Sequence, residues 1–275
     1  MRICSYIDVL DRGTPAERVR HGIIDGEMVR PLGHGGLNAL LDGRAPGHPG
    51  EPVPLSTVSL QAPVRPGKLI GVGLNYRAHA HETGQQIPER PLLFAKFPSA
   101  VTAPGGPIRM PSYTSELDYE GELAVVIGTT ANSVSAGDAL AHVFGYAVMN
   151  DVSARDLQRT EPQWVLAKSG DTFAPWGPWI TTADEIPDPQ NLSVRTWVNG
   201  ELRQDGHTSD MVFSVAELIA YISDRITLEP GDVITTGTPA GVGAGFSPTK
   251  FLAVGDQIRV EINGLGRIEH GVIAR

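Results

Sequence analysis

Cysteine is nearly absent. The single Cys4 in 275 residues leaves no partner for an intrachain disulfide, which fits a reducing compartment. Cys4 itself reads as a small buried residue of the first strand rather than a reactive thiol. Long apolar runs are also missing: none approaches the roughly 18 to 20 residues that span a bilayer, and the N-terminus lacks a signal-type hydrophobic region. The expectation is a soluble cytoplasmic protein with no membrane partner. Positive charge is in deficit, with 22 Lys and Arg against 31 Asp and Glu and a net charge of -9, which argues against nucleic acid as a partner. Small anions remain admissible, because a metal ion and a few local cations can reverse the potential inside a pocket. No stretch repeats with a solenoid-like or propeller-like period.

What is present is a succession of short strands joined by hairpin turns, with few short helices. Residues 2–9, 19–24 and 27–32 form a small β-rich unit, with Asp25-Gly26 as a hairpin turn of type I′. A stretch from Asp42 to Pro54 carries Pro46, Pro49, Pro52 and Pro54 among glycines and reads as a linker. This divides the chain into an N-terminal β-rich domain with its linker, residues 1–65, and a catalytic domain, residues 66–275. Further strands are expected at 68–73, 92–96, 142–150, 192–198, 201–204, 233–236 and 257–262, with turns at Asn199-Gly200 and Asn263-Gly264. Ser214-x-x-Glu217 is a capping box opening a helix to about Arg225, with Leu218, Ile219 and Ile222 on its apolar face. Ser135 and Asp138 mark a shorter helix start. The fold class is therefore α+β, predominantly β.

Chemistry concentrates between residues 117 and 151. Residues 117–128 read as one strand that begins polar and ends apolar, so Asp118, Glu120 and Glu122 share a face. Adjacent carboxylates repel unless a hard divalent cation such as Mg²⁺ or Mn²⁺ lies between them. Asp151 ends the next apolar run and can bring a third carboxylate to the same point. The ordinary alternative is the wet face of an edge strand. Downstream, a helix over residues 152–158 would place Arg155 and Gln158 on one face. Lys168 sits between an apolar stretch and a polar turn, and Gly237-Thr238-Pro239-Ala240-Gly241 is a tight loop whose amides suit an anion. Upstream, residues 77–84 fit a short helix with His79 and Glu82 one turn apart. Two tempting motifs fail: Gly71-Val72-Gly73 lacks the third glycine of a dinucleotide fingerprint, and His81-Glu82 lacks the second histidine of a zinc protease.

Five motifs in order resemble the fumarylacetoacetate hydrolase family: Asn75-Tyr76-x-x-His79-x-x-Glu82, Asp118-x-Glu120-x-Glu122-Leu123, Asn150-Asp151-x-Ser153-Ala154-Arg155-Asp156-x-Gln158, Lys168-x-x-Asp171-Thr172-Phe173 and Gly237-Thr238-Pro239-x-Gly241. The resemblance runs from Lys68 to the C-terminus and implies a mixed β-sandwich or roll. It implies one Mg²⁺ or Mn²⁺ per subunit on Glu120, Glu122 and Asp151, with Asp118 behind them and Lys168 at the metal centre. It further implies that His79 and Glu82, on a lid, activate water, that Arg155 and Gln158 bind the distal part of a small anionic keto acid, and that Thr238 holds a substrate oxygen. His81 is left facing solvent. Residues 70–76 contain no acid, so the chain is more similar to the smaller bacterial and mitochondrial acylpyruvase-type members than to animal fumarylacetoacetases. The family frequently has Lys-Pro where Lys96-Phe97 stands, and Lys96 is read as a lid support or surface charge.

The implied activity is metal-dependent hydrolysis of a carbon-carbon bond in an acylpyruvate-type, fumarylacetoacetate-like keto acid, in aromatic catabolism, by a homodimer. The same residues would serve an oxaloacetate-type decarboxylase or a 2-hydroxyhepta-2,4-diene-1,7-dioate isomerase/decarboxylase. A metal and keto-acid binding protein without catalysis is the remaining reading.

Overall fold

A computed structural model describes residues 1–8, 19–44, 47 and 50–275. Val9 of the expected first strand and Pro46 and Pro49 of the expected linker lie outside them. The chain is predominantly β. Its larger sheet has twelve strands, ten of them in the order Val53–Pro54, Met28–Pro31, Arg20–Asp25, Arg2–Asp8, Ala174–Thr182, Val143–Asn150, Gly121–Ile127, Val233–Thr235, Leu69–Gly73 and Leu92–Lys96. Most neighbours are antiparallel, but Val233–Thr235 runs parallel to Leu69–Gly73, so the sheet is mixed. The strands of residues 1–65 are hydrogen-bonded onto this sheet through Arg2 opposite Thr181 and Ile3 opposite Ile180.

Residues of the Gly121–Ile127 strand are all buried, which is why its sequence from Leu123 to Ile127 is an unbroken apolar run rather than an alternating one. A smaller sheet, Glu201–His207, Ser193–Val198, Gln257–Ile262, Gly266–Ala274 and Ile108–Met110, covers it. The two sheets meet closely at Gly121, where a Cβ would lie 2.4 Å from Thr196 Oγ1 and 2.9 Å from Val260 Cγ1. Ile258, Val260 and Ile262 point inward as their alternation demands.

Local expectations are met unevenly. Asn199 and Gly200 take φ of 52° and 80° between Val198 and Glu201, the I′ pattern. The N-terminal hairpin differs: Asp25 pairs with Met28, so the turn residues are Gly26 and Glu27, and only Gly26 has positive φ, as a II′ turn requires. Ser214 and Glu217 form the capping box of the helix Val215–Ser223, which buries Leu218, Ile219 and Ile222. After Ser135 and Asp138 there is only one 3₁₀ turn, Ala139–His142. Gly71 and Gly73 serve packing, since a Cβ on them would lie 2.2 Å from Phe94 and 2.5 Å from Trp164.

Two corrections bear on the site. The strand expected over residues 117–128 is broken into Leu117–Asp118 and Gly121–Ile127, so alternation does not run through Tyr119 and Glu120. The helix expected over 152–158 begins only at Arg155, because Ser153–Ala154 pairs as a short strand with Leu117–Asp118.

Candidate metal centre

The break at Tyr119 and Glu120 is held by side chains in place of a strand ladder. Tyr119 N–H donates to Asp118 Oδ1, Glu120 N–H to Asn150 Oδ1 and Gly121 N–H to Gln204 Oε1, each at 2.9 Å. Asp151 N–H donates to the Glu120 carbonyl at 2.8 Å. The result turns the Glu120 carboxylate toward the ends of the two central strands. Glu120, Glu122 and Asp151 are buried there, each with a carboxylate oxygen within 4.8 Å of the others.

Cations surround this group. Lys168 Nζ donates to Glu120 Oε2 at 2.6 Å and to Asp151 Oδ2 at 2.8 Å. Arg155 Nη1 pairs with Glu120 Oε1 at 2.6 Å, while its Nε donates to Asp118 Oδ2 at 2.8 Å. Lys96 is the main correction: it is neither a lid support nor a surface charge. It is 1% exposed and donates to Asp151 Oδ1 at 2.5 Å. Burial opposes the charge on Glu120, but Arg155 and Lys168 outweigh it and hold the carboxyl below its ordinary range. Burial likewise opposes the Lys168 ammonium, and Asp151 and Glu120 outweigh it, so the ammonium is held up. For Lys96 burial wins over Asp151, with Lys168 adding to it, and its pKa falls.

Of the three, only Glu122 has no ion pair of its own among the described residues, although Lys168 partly offsets its charge. Its Oε2 accepts from Thr235 Oγ1 and, at 2.8 Å, from Gly237 N–H. Burial, then Asp151 and Glu120, push its carboxyl well above the ordinary range. A buried carboxyl driven toward protonation by two carboxylate neighbours fits a site that a doubly charged ion would complete. All-oxygen donors are those that hard ions such as Mg²⁺ and Mn²⁺ take.

Asp118 stands behind the three. Its carboxylate is taken up by Arg155, Gly243 N–H at 2.7 Å and Ala244 N–H at 3.0 Å. The loop amides expected to suit an anion bind the chain's own acids: Gly237 holds Glu122, and Gly241 N–H donates to Glu82 Oε2 at 2.9 Å.

A cleft of about 450 Å³ opens over the centre, lined by His79, Glu82, Glu120, Arg155, Gln158 and Lys168 among others. The helix Arg77–Glu82 presents His79 inward and leaves His81 exposed. His79 Nδ1 lies 2.8 Å from Glu82 Oε1, which leaves Nε2 to take a proton. Gln158 Oε1 accepts from Arg155 Nη1 at 2.9 Å, so these two meet as their spacing suggested. Arg155 Nη2 has no partner among the described residues. Thr238 is placed elsewhere: its hydroxyl donates to the Gly121 carbonyl at 3.0 Å and accepts from Gln204 Nε2 at 2.7 Å, and it is not among the cleft residues.

The sequence points to no role for Asn150, Gln204 or Thr235 and misplaces Lys96. Asn150 lay inside a recognised motif, and Lys96 ended a strand rather than a loop, which was a usable signal. Gln204 and Thr235 carried none, since their importance comes from strands brought alongside Gly121 and Glu122.

The sequence profile of the fumarylacetoacetate (FAA) hydrolase C-terminal domain matches residues 68–273, and the chain belongs to this family of enzymes. Among its relatives, the oxaloacetate tautomerase YisK of Bacillus subtilis (strain 168) is 49% identical over 223 residues, which cover 79% of this chain and 74% of that protein. The structure of fumarylacetoacetate hydrolase (EaFAH) from psychrophilic Exiguobacterium antarcticum is similar with a TM-score of 0.87 at 37% identity, over 100% of both chains. That of the 2-hydroxyhepta-2,4-diene-1,7-dioate isomerase from Mycobacterium marinum gives 0.84 at 35%, over 100% of this chain and 99% of that one. Among the described residues no helix is long and apolar enough to cross a membrane.

Proposed function

We propose that this chain is a divalent-metal-dependent enzyme that transfers a proton on a small 2-oxo acid, interconverting the enol and keto forms of an oxaloacetate-type substrate. The observation that carries the reading is the His79–Glu82 pair, set on the wall of the same cleft as Glu120, Lys168 and Arg155. An Mg²⁺ or Mn²⁺ held by Glu120, Glu122 and Asp151 would supply positive charge to the oxygens of the 2-oxo acid. Lys168, kept as an ammonium, adds to that charge. Arg155, locked by Asp118 and Glu120, lines the cleft with Gln158 beside it and would meet a substrate carboxylate there. Toward the enol, His79 Nε2 takes the proton from the carbon next to the 2-oxo group and the imidazolium gives it to the enolate oxygen; toward the keto form, it takes the enol O–H proton and gives it to that carbon. Glu82 fixes the tautomer and steadies the charged ring. The 49% identity to an oxaloacetate tautomerase supports this outcome over the others.

Hydrolysis of a carbon-carbon bond in an acylpyruvate is the second reading, favoured by the same pair, which could activate water instead, and by the likeness to a fumarylacetoacetate hydrolase. The test is a panel of oxaloacetate, acylpyruvates and 2-hydroxymuconate-type acids, followed with Mn²⁺ and with chelator. Faster loss of the enol absorbance of oxaloacetate, without CO₂ and abolished by chelator, is the expected result. Two acid fragments from an acylpyruvate at a higher kcat/KM would put hydrolysis first, and CO₂ would indicate decarboxylation. Metal-dependent binding with no product would leave a binding protein. A homodimer is the assembly we propose with this activity, checked by light scattering.

A further inference from the structure

We propose that His270 is a positioning residue for Glu120 and acts through the side chain of Asn150. His270 lies on the strand Gly266–Ala274 of the smaller sheet and is 3% exposed. Asn150 Nδ2 donates to its Nε2 at 2.9 Å, and Asn150 Oδ1 accepts from Glu120 N–H at 2.9 Å. An amide side chain is held in one of its two orientations only when its ends meet opposite demands. Glu120 N–H can only donate, so it requires Oδ1. That orientation turns Nδ2 toward His270, whose Nε2 must then be bare.

The position is otherwise one for an aliphatic residue. His270 shares the inward face of its strand with Ile268 and Val272, both buried; the Pro104 carbonyl favours a proton on the ring, although Nδ1 makes no hydrogen bond of normal geometry among the described residues. Packing between two aliphatic neighbours alone gives no reason to retain a buried imidazole. Glu120 gives one. It sits in the break between two strands, where no ladder hydrogen bond fixes its N–H, and Asn150 replaces that bond. The smaller sheet thereby sets the direction of a carboxylate on the larger one.

The inference rests on Glu120 as a metal ligand. Its test is Mn²⁺ titration calorimetry on the whole, chelator-stripped protein, comparing the unaltered chain with His270→Leu and His270→Gln. Leucine removes the acceptor and glutamine retains one. We expect roughly a tenfold or larger loss of Mn²⁺ affinity for leucine and less than about threefold for glutamine, since a lost acceptor leaves a buried donor unmatched. Equal losses in both variants, or none in either, overturn the inference. Nitrogen-15 NMR of the unaltered chain gives a decision that needs no variant to fold: the inference requires His270 protonated on Nδ1, and a proton on Nε2 overturns it. Failure of the unaltered chain to bind Mn²⁺ would overturn the metal centre itself, and this inference with it.

Discussion

Gly241 N–H and Glu82 Oε2 are 2.9 Å apart although 159 residues separate them in the chain. One end of the Glu82 carboxylate is thereby pinned by the loop, and the other faces His79. Replacing Glu82 by glutamine keeps the shape but removes the charge that steadies a protonated ring. Turnover of the best substrate should fall by about 100-fold, while Mn²⁺ affinity stays near that of the unaltered chain, since Glu82 touches none of the three carboxylates by any hydrogen bond described. Steady-state kinetics and titration calorimetry check the two halves.

Gly241 itself should not tolerate a side chain. Its φ is +102°, and a Cβ would lie 1.9 Å from the Arg203 carbonyl oxygen. In Gly241→Ala the loop must shift, and displacing a catalytic group by about 1 Å can cost roughly 100-fold. A fully active Gly241→Ala enzyme would mean that Glu82 is not held from this side.

Glu122→Ala should abolish both stoichiometric Mn²⁺ binding and turnover, because it takes away one of three donors in a site with few others. Equilibrium dialysis with Mn²⁺ and the enol assay measure these separately. Retained activity with lost binding would remove the metal from the reaction.

Lys96→Met should affect the metal-free protein most. Breaking a buried ion pair by removing one partner commonly costs about 3 to 5 kcal/mol. Here the stranded Asp151 keeps Lys168 and, with Mn²⁺, gains the ion. The drop in melting temperature should therefore be larger in chelator than in Mn²⁺. An equal drop in both would mean that Lys96 contributes only by packing.

His270 supplies a pH dependence. Burial depresses its pKa from 6.5 to about 4, with the Pro104 carbonyl opposing weakly. The unfolded chain then takes up the proton first as pH falls. The stabilisation is complete above the unfolded value of 6.5 and is lost progressively down to the folded value of about 4. The shift corresponds to about 3 kcal/mol. Denaturation at neutral and acid pH should show a weaker acid-side loss in His270→Gln, and an unchanged loss would place the acid sensitivity elsewhere.

Much of this was legible along the chain, and the rest was not for definable reasons. The apolar runs, the Asn199-Gly200 turn and the Ser214 capping box are local, so they read directly. Strand alternation puts Glu120 on one face with Glu122, and the end of the next apolar run adds Asp151, yet the structure brings Glu120 there through a break at which alternation stops. The three carboxylates thus meet by a geometry other than the one alternation implies, and the ordered motifs point to them independently of it. Lys96 was misread because a lysine beside prolines is ordinarily solvated, and only the pairing of Leu69 with Lys96 brings it under the centre. Gln204 and His270 act across gaps of 83 and 120 residues, where no spacing rule reaches.

The loop after the Val233–Thr235 strand grips three acids by its amides: Glu122 at Gly237, Glu82 at Gly241, and Asp118 at Gly243 and Ala244. One backbone segment thus serves as a common gauge for Glu122, for the Glu82 that faces His79, and for the Asp118 that holds Arg155. Any slip in it would detune all three in step. Under the proposed function, selectivity among substrates would vary more freely at cleft side chains that this loop does not hold, such as Gln85, Gln158 and Trp164.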